Sequence, residues 1–285
     1  MPNWTAFAGF AGVALFALLF LSHASKRLVA DGHETAAVAE TLDDEPSDRQ
    51  WNDSSTLDGD GSGVASERGP GVGDADFDPA AVDTPTEPPT ADGSPTNLLL
   101  NVAISQGVFA AFLVLGAWYA EIPAAAIGLH GVDAGTLSVG VGVGVALYVV
   151  NEVGSAVGER FGLGGGDALR ETLAPESPRG WALLLLVVLP VIAGFEELLF
   201  RGVLVGAVSV GFAVSPWAMA GVSSVAFALG HGAQGPGGIV VTGALGFVLA
   251  AVFVLTGDLL AVVLAHYLVN ALEFVVHEGL DVEVA

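Results

Sequence analysis

From Trp181 to Phe195 no residue carries a charge, and the next two positions are Glu196 and Glu197, with Arg201 one turn further on. The apolar run continues to residue 207, long enough for a helix that crosses a bilayer. A charged side chain at the bilayer centre costs about 2.5–3.5 kcal/mol on insertion scales. Three would cost on the order of 8 kcal/mol unless they pair or face a polar interior. Glu197 and Arg201 stand at i,i+4 with the acid first, the favourable order for an ion pair. Glu196 lies about 100° round the helix from Glu197 and has no such partner. This helix must therefore turn one face into a bundle, and an unpaired carboxylate on that face can exchange protons.

Composition agrees with a membrane protein. Hydrophobic residues make up 53% of the 285, and the mean hydropathy is +0.67. The net charge of −23 fits this once it is mapped. Residues 28–96 carry seventeen acidic side chains against Arg49 and Arg68, so most of the charge sits in one polar segment. Acidity with a single lysine, Lys26, predicts a chain suited to a high-salt cytoplasm, where carboxylates keep a surface hydrated. No basic patch exists, which argues against nucleic acid as a partner. The absence of cysteine removes disulfides, thiolate catalysis, cysteine-bound zinc and lipidation of this chain on cysteine.

Taken in order, residues 4–22 form a first apolar run. Ser22-His23-Ala24 resembles a signal cleavage site, but the n-region lacks a basic side chain and Lys26-Arg27 follow the run. Residues 1–27 therefore read as an uncleaved anchor helix. Residues 28–96, rich in Asp, Gly, Pro, Ser and Thr without periodicity, read as a disordered acidic linker. Residues 97–285 then hold six more spans, at 97–120, 134–157, 181–207, 212–229, 237–255 and 259–276. The fold class expected is all-α, a polytopic bundle of about seven transmembrane helices. Arg160, Arg170 and Arg179 lie in the polar break at 158–180. With Lys26-Arg27 they place the N-terminus outside a cell membrane and the linker and C-terminus in the cytoplasm. Gly140-x-Gly142-x-Gly144 predicts close approach of one helix to another.

Two later spans also carry polar groups. Phe227-x-x-x-His231 closes one, and His266-x-x-x-Asn270 lies on one face of the last, with Glu273 continuing that stripe. A lone histidine in an apolar helix is commonly a structural hydrogen-bonder. Acids, imidazoles and an amide recurring in three spans instead point to one shared interior. Together they supply a carboxylate base, two imidazoles and an amide donor, the groups needed to activate water and hold an oxyanion.

Glu196-Glu197-x-x-x-Arg201, Phe227-x-x-x-His231 and His266-x-x-x-Asn270 resemble, in order and spacing, the three motifs of the CPBP family. These are the CAAX-processing and bacteriocin-processing intramembrane proteases, among them the Rce1-type prenyl endopeptidases and the Abi group. The resemblance covers residues 181–276. It implies that Glu196 activates water with help from His231, that Glu197 and Arg201 support it, and that His266 and Asn270 stabilise the oxyanion. Family members have been described as metalloproteases and as glutamate-dependent proteases. Glu196, His231 and His266 match a His₂Glu catalytic zinc set, so a divalent metal such as zinc stays open beside glutamate-activated water alone. The implied partners are membrane lipid and a peptide or membrane-anchored protein substrate, prenylated or not.

Other readings are weaker. Gly164-x-Gly166-Asp167 mimics an aspartyl intramembrane protease, but no span offers a second aspartate. Gly221-Val222-Ser223-Ser224 lacks the second glycine of a rhomboid-type site, and no His-Glu-x-x-His occurs. The alternative class is a non-catalytic scaffold or a proton-coupled carrier on the same bundle. A carrier should show paired halves, and the acidic motif has no second copy. Straight upright helices would leave His231 and His266 at different depths from Glu196. The arrangement expected is a tilted bundle around a water-filled vestibule, with helices broken near the site as the other solution.

Overall fold

A computed structural model describes residues 1–43, 95–159, 170, 171 and 173–280. All regular structure among them is helical. The helices are α1 (Trp4–Asp43), α2 (Pro95–Tyr119), α3 (Ala134–Glu159), α4 (Pro178–Phe212), α5 (Pro216–Gly230), α6 (Gly235–Thr256) and α7 (Leu259–Gly279). Six are long and apolar enough to cross a membrane, and α5 is a shorter apolar helix. The chain is a multi-pass helical membrane protein, as its hydropathy requires. The unit that concerns the site comprises Met1–Asp31 and Gly93–Ala285.

Two boundaries differ from the sequence expectation. Helix α1 runs past residue 27 to Asp43. Its later part, Glu-Thr-Ala-Ala-Val-Ala-Glu, is made largely of helix-compatible residues, so propensity carries the helix beyond the apolar run. Residues 44–94 of the acidic linker, with Arg160 and the Gly164-x-Gly166-Asp167 sequence, lie outside the described residues. The second difference is at Phe212, which ends α4 instead of opening α5. Ala213 adopts a left-handed backbone at φ 54°, and Ser215 caps α5 with Pro216 in its first turn. A proline there loses no helical hydrogen bond.

Helix α4 is not a regular α-helix. It takes π-helical turns at Leu184–Val188 and again at Leu198–Ala207. Pro190 lacks an N–H to donate four residues back. Just before it, the Leu189 amide reaches Leu184, five residues back. The second π segment begins directly after Glu196 and Glu197. Helix α7 also ends in a π-helical segment, Phe274–Gly279. Departures of this kind concentrate at functional sites. Helix α4 itself runs on without a break from Pro178 to Phe212 past the acidic pair.

One core contains Phe195, Leu199, Phe200 and Val203 of α4, Phe227 of α5, Phe253 of α6 and Val262 and Ala265 of α7. Phe7, Ala11 and Ala14 of α1 are buried in it too. Helix α3 closes on α7 as its glycines predict, through Gly140 and Gly144. A Cβ on Gly140 would stand 2.9 Å from Leu264 Cβ, and one on Gly144 2.9 Å from Leu268 Cβ. Gly142 points elsewhere, with nothing within 4 Å. At the end of the same seam, Thr136 donates its hydroxyl to Asp258 and its amide to Asp133, both at helix starts. That amide holds the exposed Asp133 carboxyl below the usual carboxylate range.

Candidate active site

Glu197 and Arg201 of the first motif and His266 of the third form a buried polar chain, and Phe227 of the second packs against it. Glu197 and Arg201 are both fully buried, and Arg201 Nη1 donates to Glu197 Oε1 at 2.8 Å. The i,i+4 pair expected from spacing therefore exists, across the start of the π segment. His266 of α7 donates from Nδ1 to the same Glu197 oxygen at 2.7 Å. A carboxylate that accepts there fixes Nδ1 as the protonated nitrogen. His266 Nε2 then faces Glu196, with 3.7 Å to Oε2. That is too long for a direct hydrogen bond. A group hydrogen-bonded to both atoms would stand about 2.8 Å from each.

Arg201 has two further contacts that the sequence did not announce. Its Nη2 donates to the Gly246 carbonyl of α6 at 2.8 Å, and its guanidinium lies 4.7 Å from the centroid of Phe227. A carboxylate, a carbonyl and a ring face compensate this buried cation in part, while its Nε and Glu197 Oε2 have no hydrogen-bond partner among the described residues. Gly246 makes this approach possible. A Cβ there would lie 2.9 Å from Phe227 Cδ1 and 3.3 Å from Arg201 Nη2. Helix propensity would favour Gly246→Ala by roughly 0.5–1 kcal/mol, but forced overpacking costs about 1–3 kcal/mol. The clash wins, so Gly246→Ala is expected to lower the melting temperature in detergent together with whatever activity depends on Arg201.

Phe227 is the hub between the two histidines. Its ring centroid is 4.5 Å from that of His231 and 6.0 Å from that of His266. His231 Nδ1 donates to the Phe227 carbonyl at 2.9 Å, since a carbonyl only accepts. Its Nε2 is left as the uncommitted nitrogen. Among the described residues, His266 and not His231 lies within 4.0 Å of Glu196. Asn270 is half-buried one turn beyond His266, and its amide enters no hydrogen bond among the described residues.

Glu273 does not join this chain despite its place on the same stripe. It pairs with Asn151 of α3 and lies 3.6 Å from Arg170, which also binds Glu278. Nearby, His277 meets Glu152 at 2.8 Å. This second polar group ties α3 to the end of α7. The serines of the rhomboid-like sequence are also structural. Ser223 donates to the Phe200 carbonyl and Ser224 to the Ala220 carbonyl.

The metal set does not assemble. Among the described residues no three His, Asp or Glu side chains gather closely enough to hold an ion. His266 Nδ1 is taken by Glu197 and His231 Nδ1 by Phe227, which leaves one ring nitrogen on each histidine. No step is therefore routed through a metal.

Comparison with known proteins leads to the same segment. No curated protein and no solved structure matches the chain. A family model described as type II CAAX prenyl endopeptidase Rce1-like matches residues 178–272. That match holds Glu196, Glu197, Arg201, His231, His266 and Asn270. The part of this chain that builds the buried polar site is thus the part that is similar to Rce1-like domains.

Proposed function

We propose that the protein is an intramembrane endopeptidase that hydrolyses a peptide bond with water activated by Glu196. The observation that carries this reading is the Arg201–Glu197–His266 chain, which aims His266 Nε2 at the Glu196 carboxylate. Glu196 takes a proton from water as the water oxygen bonds to the substrate carbonyl carbon. The uncommitted His231 Nε2 accepts from that water and helps hold it. The negative charge passes to the carbonyl oxygen. Glu196, Glu197 and Arg201 alone sum to one negative charge. A protonated His266 neutralises the group and presents an Nε2–H donor to the oxyanion, and the Asn270 amide is a second donor. Glu196 then returns its proton to the leaving nitrogen as the C–N bond breaks.

The substrate class that fits the family match is a membrane-associated peptide, and a prenylated C-terminal tail is the first candidate. We assign the N-terminus to the outside and the C-terminus to the cytoplasm, on the distribution of basic residues. The purified chain in lipid nanodiscs, given prenylated and unprenylated quenched peptides with and without chelator, tests the reading. Cleavage of either peptide that survives chelation supports it. Absence of cleavage with all peptides, or cleavage abolished by chelator and restored by zinc, contradicts it.

Deleting residues 32–92 is expected to leave turnover of a short peptide within about twofold, because no group of the proposed chemistry lies there. The check is kcat of the deletion variant against the full chain in the same nanodiscs. A folded variant that cannot cleave would make the acidic segment part of the site.

A further inference from the structure

We infer that α1, which lies outside the Rce1-like match, positions His231 through a hydrogen bond from Ser22; this inference rests on the proposed proteolytic role of His231. Ser22 Oγ donates to the Gly230 carbonyl at 2.6 Å. Gly230 is the last residue of α5, and His231 is its C-cap. A helix end leaves carbonyls without intrahelical partners. Here the Phe227 carbonyl is taken by the His231 ring, the Ala228 carbonyl by the His231 amide, and the Gly230 carbonyl by Ser22.

The Gly230 carbonyl and the His231 amide belong to one peptide plane. Ser22 pins its oxygen and Ala228 pins its N–H, so the plane cannot rotate. That plane sets where the His231 Cα stands, and so where Nε2 can reach. Gly230 has no side chain to do this sterically, whereas Leu18 and Leu19 of α1 pack beside it, each with a methyl 4.0 Å from where a Cβ would be. Residues 4–14 of α1 are fixed well enough to act as a strut. Phe7, Ala11 and Ala14 are buried in the shared core, and Trp4 lies against Gly211 at the far end. Without the hydroxyl, the Gly230 carbonyl is left unpaired, which favours a rotated plane.

The test uses the full chain in nanodiscs with Ser22→Ala, Ser22→Thr, His231→Ala and the Ser22→Ala/His231→Ala pair. Misplacing a participating group by about 1 Å costs up to 10²-fold in rate. Ser22→Ala is expected to lower kcat about tenfold with KM within about twofold, and Ser22→Thr to restore it. On the His231→Ala background the same change should add nothing. Carbethoxylation of His231, read by mass spectrometry against His266 as reference, should become several-fold faster in Ser22→Ala alone. Unchanged kcat, unchanged His231 labelling, or a further loss on the His231→Ala background would overturn the assignment. If the wild-type chain cleaves nothing, the proteolytic reading fails, and the labelling still decides whether Ser22 holds His231.

Discussion

Replacing Glu196 with glutamine is expected to lower peptide cleavage at least a thousandfold, on the order of 4 kcal/mol of transition-state stabilisation, with expression and melting temperature nearly unchanged. The substitution keeps shape and removes the base. Glu196 is buried, yet among the described residues its only basic partner within 4.0 Å is His266 Nε2 at 3.7 Å, so no tight ion pair is broken. Glu196 thus differs from Glu197, whose carboxylate binds Arg201 and His266 at once. The check is kcat in nanodiscs beside a thermal melt. A folded Glu196→Gln protein that keeps a tenth of wild-type turnover removes Glu196 from the chemistry.

Arg201→Ala is expected to fail differently, losing stability as well as activity. Arg201 and Glu197 are fully buried, and removing one partner of a buried pair costs about 3–5 kcal/mol because the other charge is left behind. Phe227 and the Gly246 carbonyl lose a contact at the same time. The measurement is denaturant or thermal unfolding in detergent. Glu197→Gln/Arg201→Ala should recover part of the loss, since it removes both charges. An unchanged melting temperature for Arg201→Ala would show that the pair stabilises nothing.

Much of this site was legible in the sequence because membrane burial makes polar residues conspicuous. Glu196, Glu197, Arg201, His266 and Asn270 stand out against apolar neighbours, and the i,i+4 rule pairs Glu197 with Arg201 before any fold is known. The parts that were not legible depend on groups that carry no sequence signature. The Gly246 carbonyl is one of many backbone acceptors, and only its glycine, needed for close approach, hints at the contact. The Phe227 carbonyl, which orients His231, and the Phe227 ring, which touches both histidines, look like ordinary core. The π segments beside Glu197 follow from how α4 packs as a whole, apart from the hint in Pro190. Glu273 misled for the opposite reason. Its spacing from His266 is right for one face, but Asn151 and Arg170 lie closer and engage it.

The ends of elements were read less well than their existence. Ala213 adopts a left-handed conformation with no glycine to announce it, so the break between α4 and α5 was placed too early. In α1 the apolar run stops near Ser22, while helix-forming alanines and glutamates carry the backbone on to Asp43. Hydropathy marks where a span ends, and propensity decides where the helix does.

Single-turnover cleavage in ¹⁸O-labelled water, with a membrane-anchored peptide and the chain in nanodiscs, tests the central claim most directly. Direct attack of water predicts one ¹⁸O in the new C-terminal carboxylate for the wild type and no product for Glu196→Gln. Cleavage by Glu196→Gln at the wild-type rate, or a new carboxylate without the label, would contradict it.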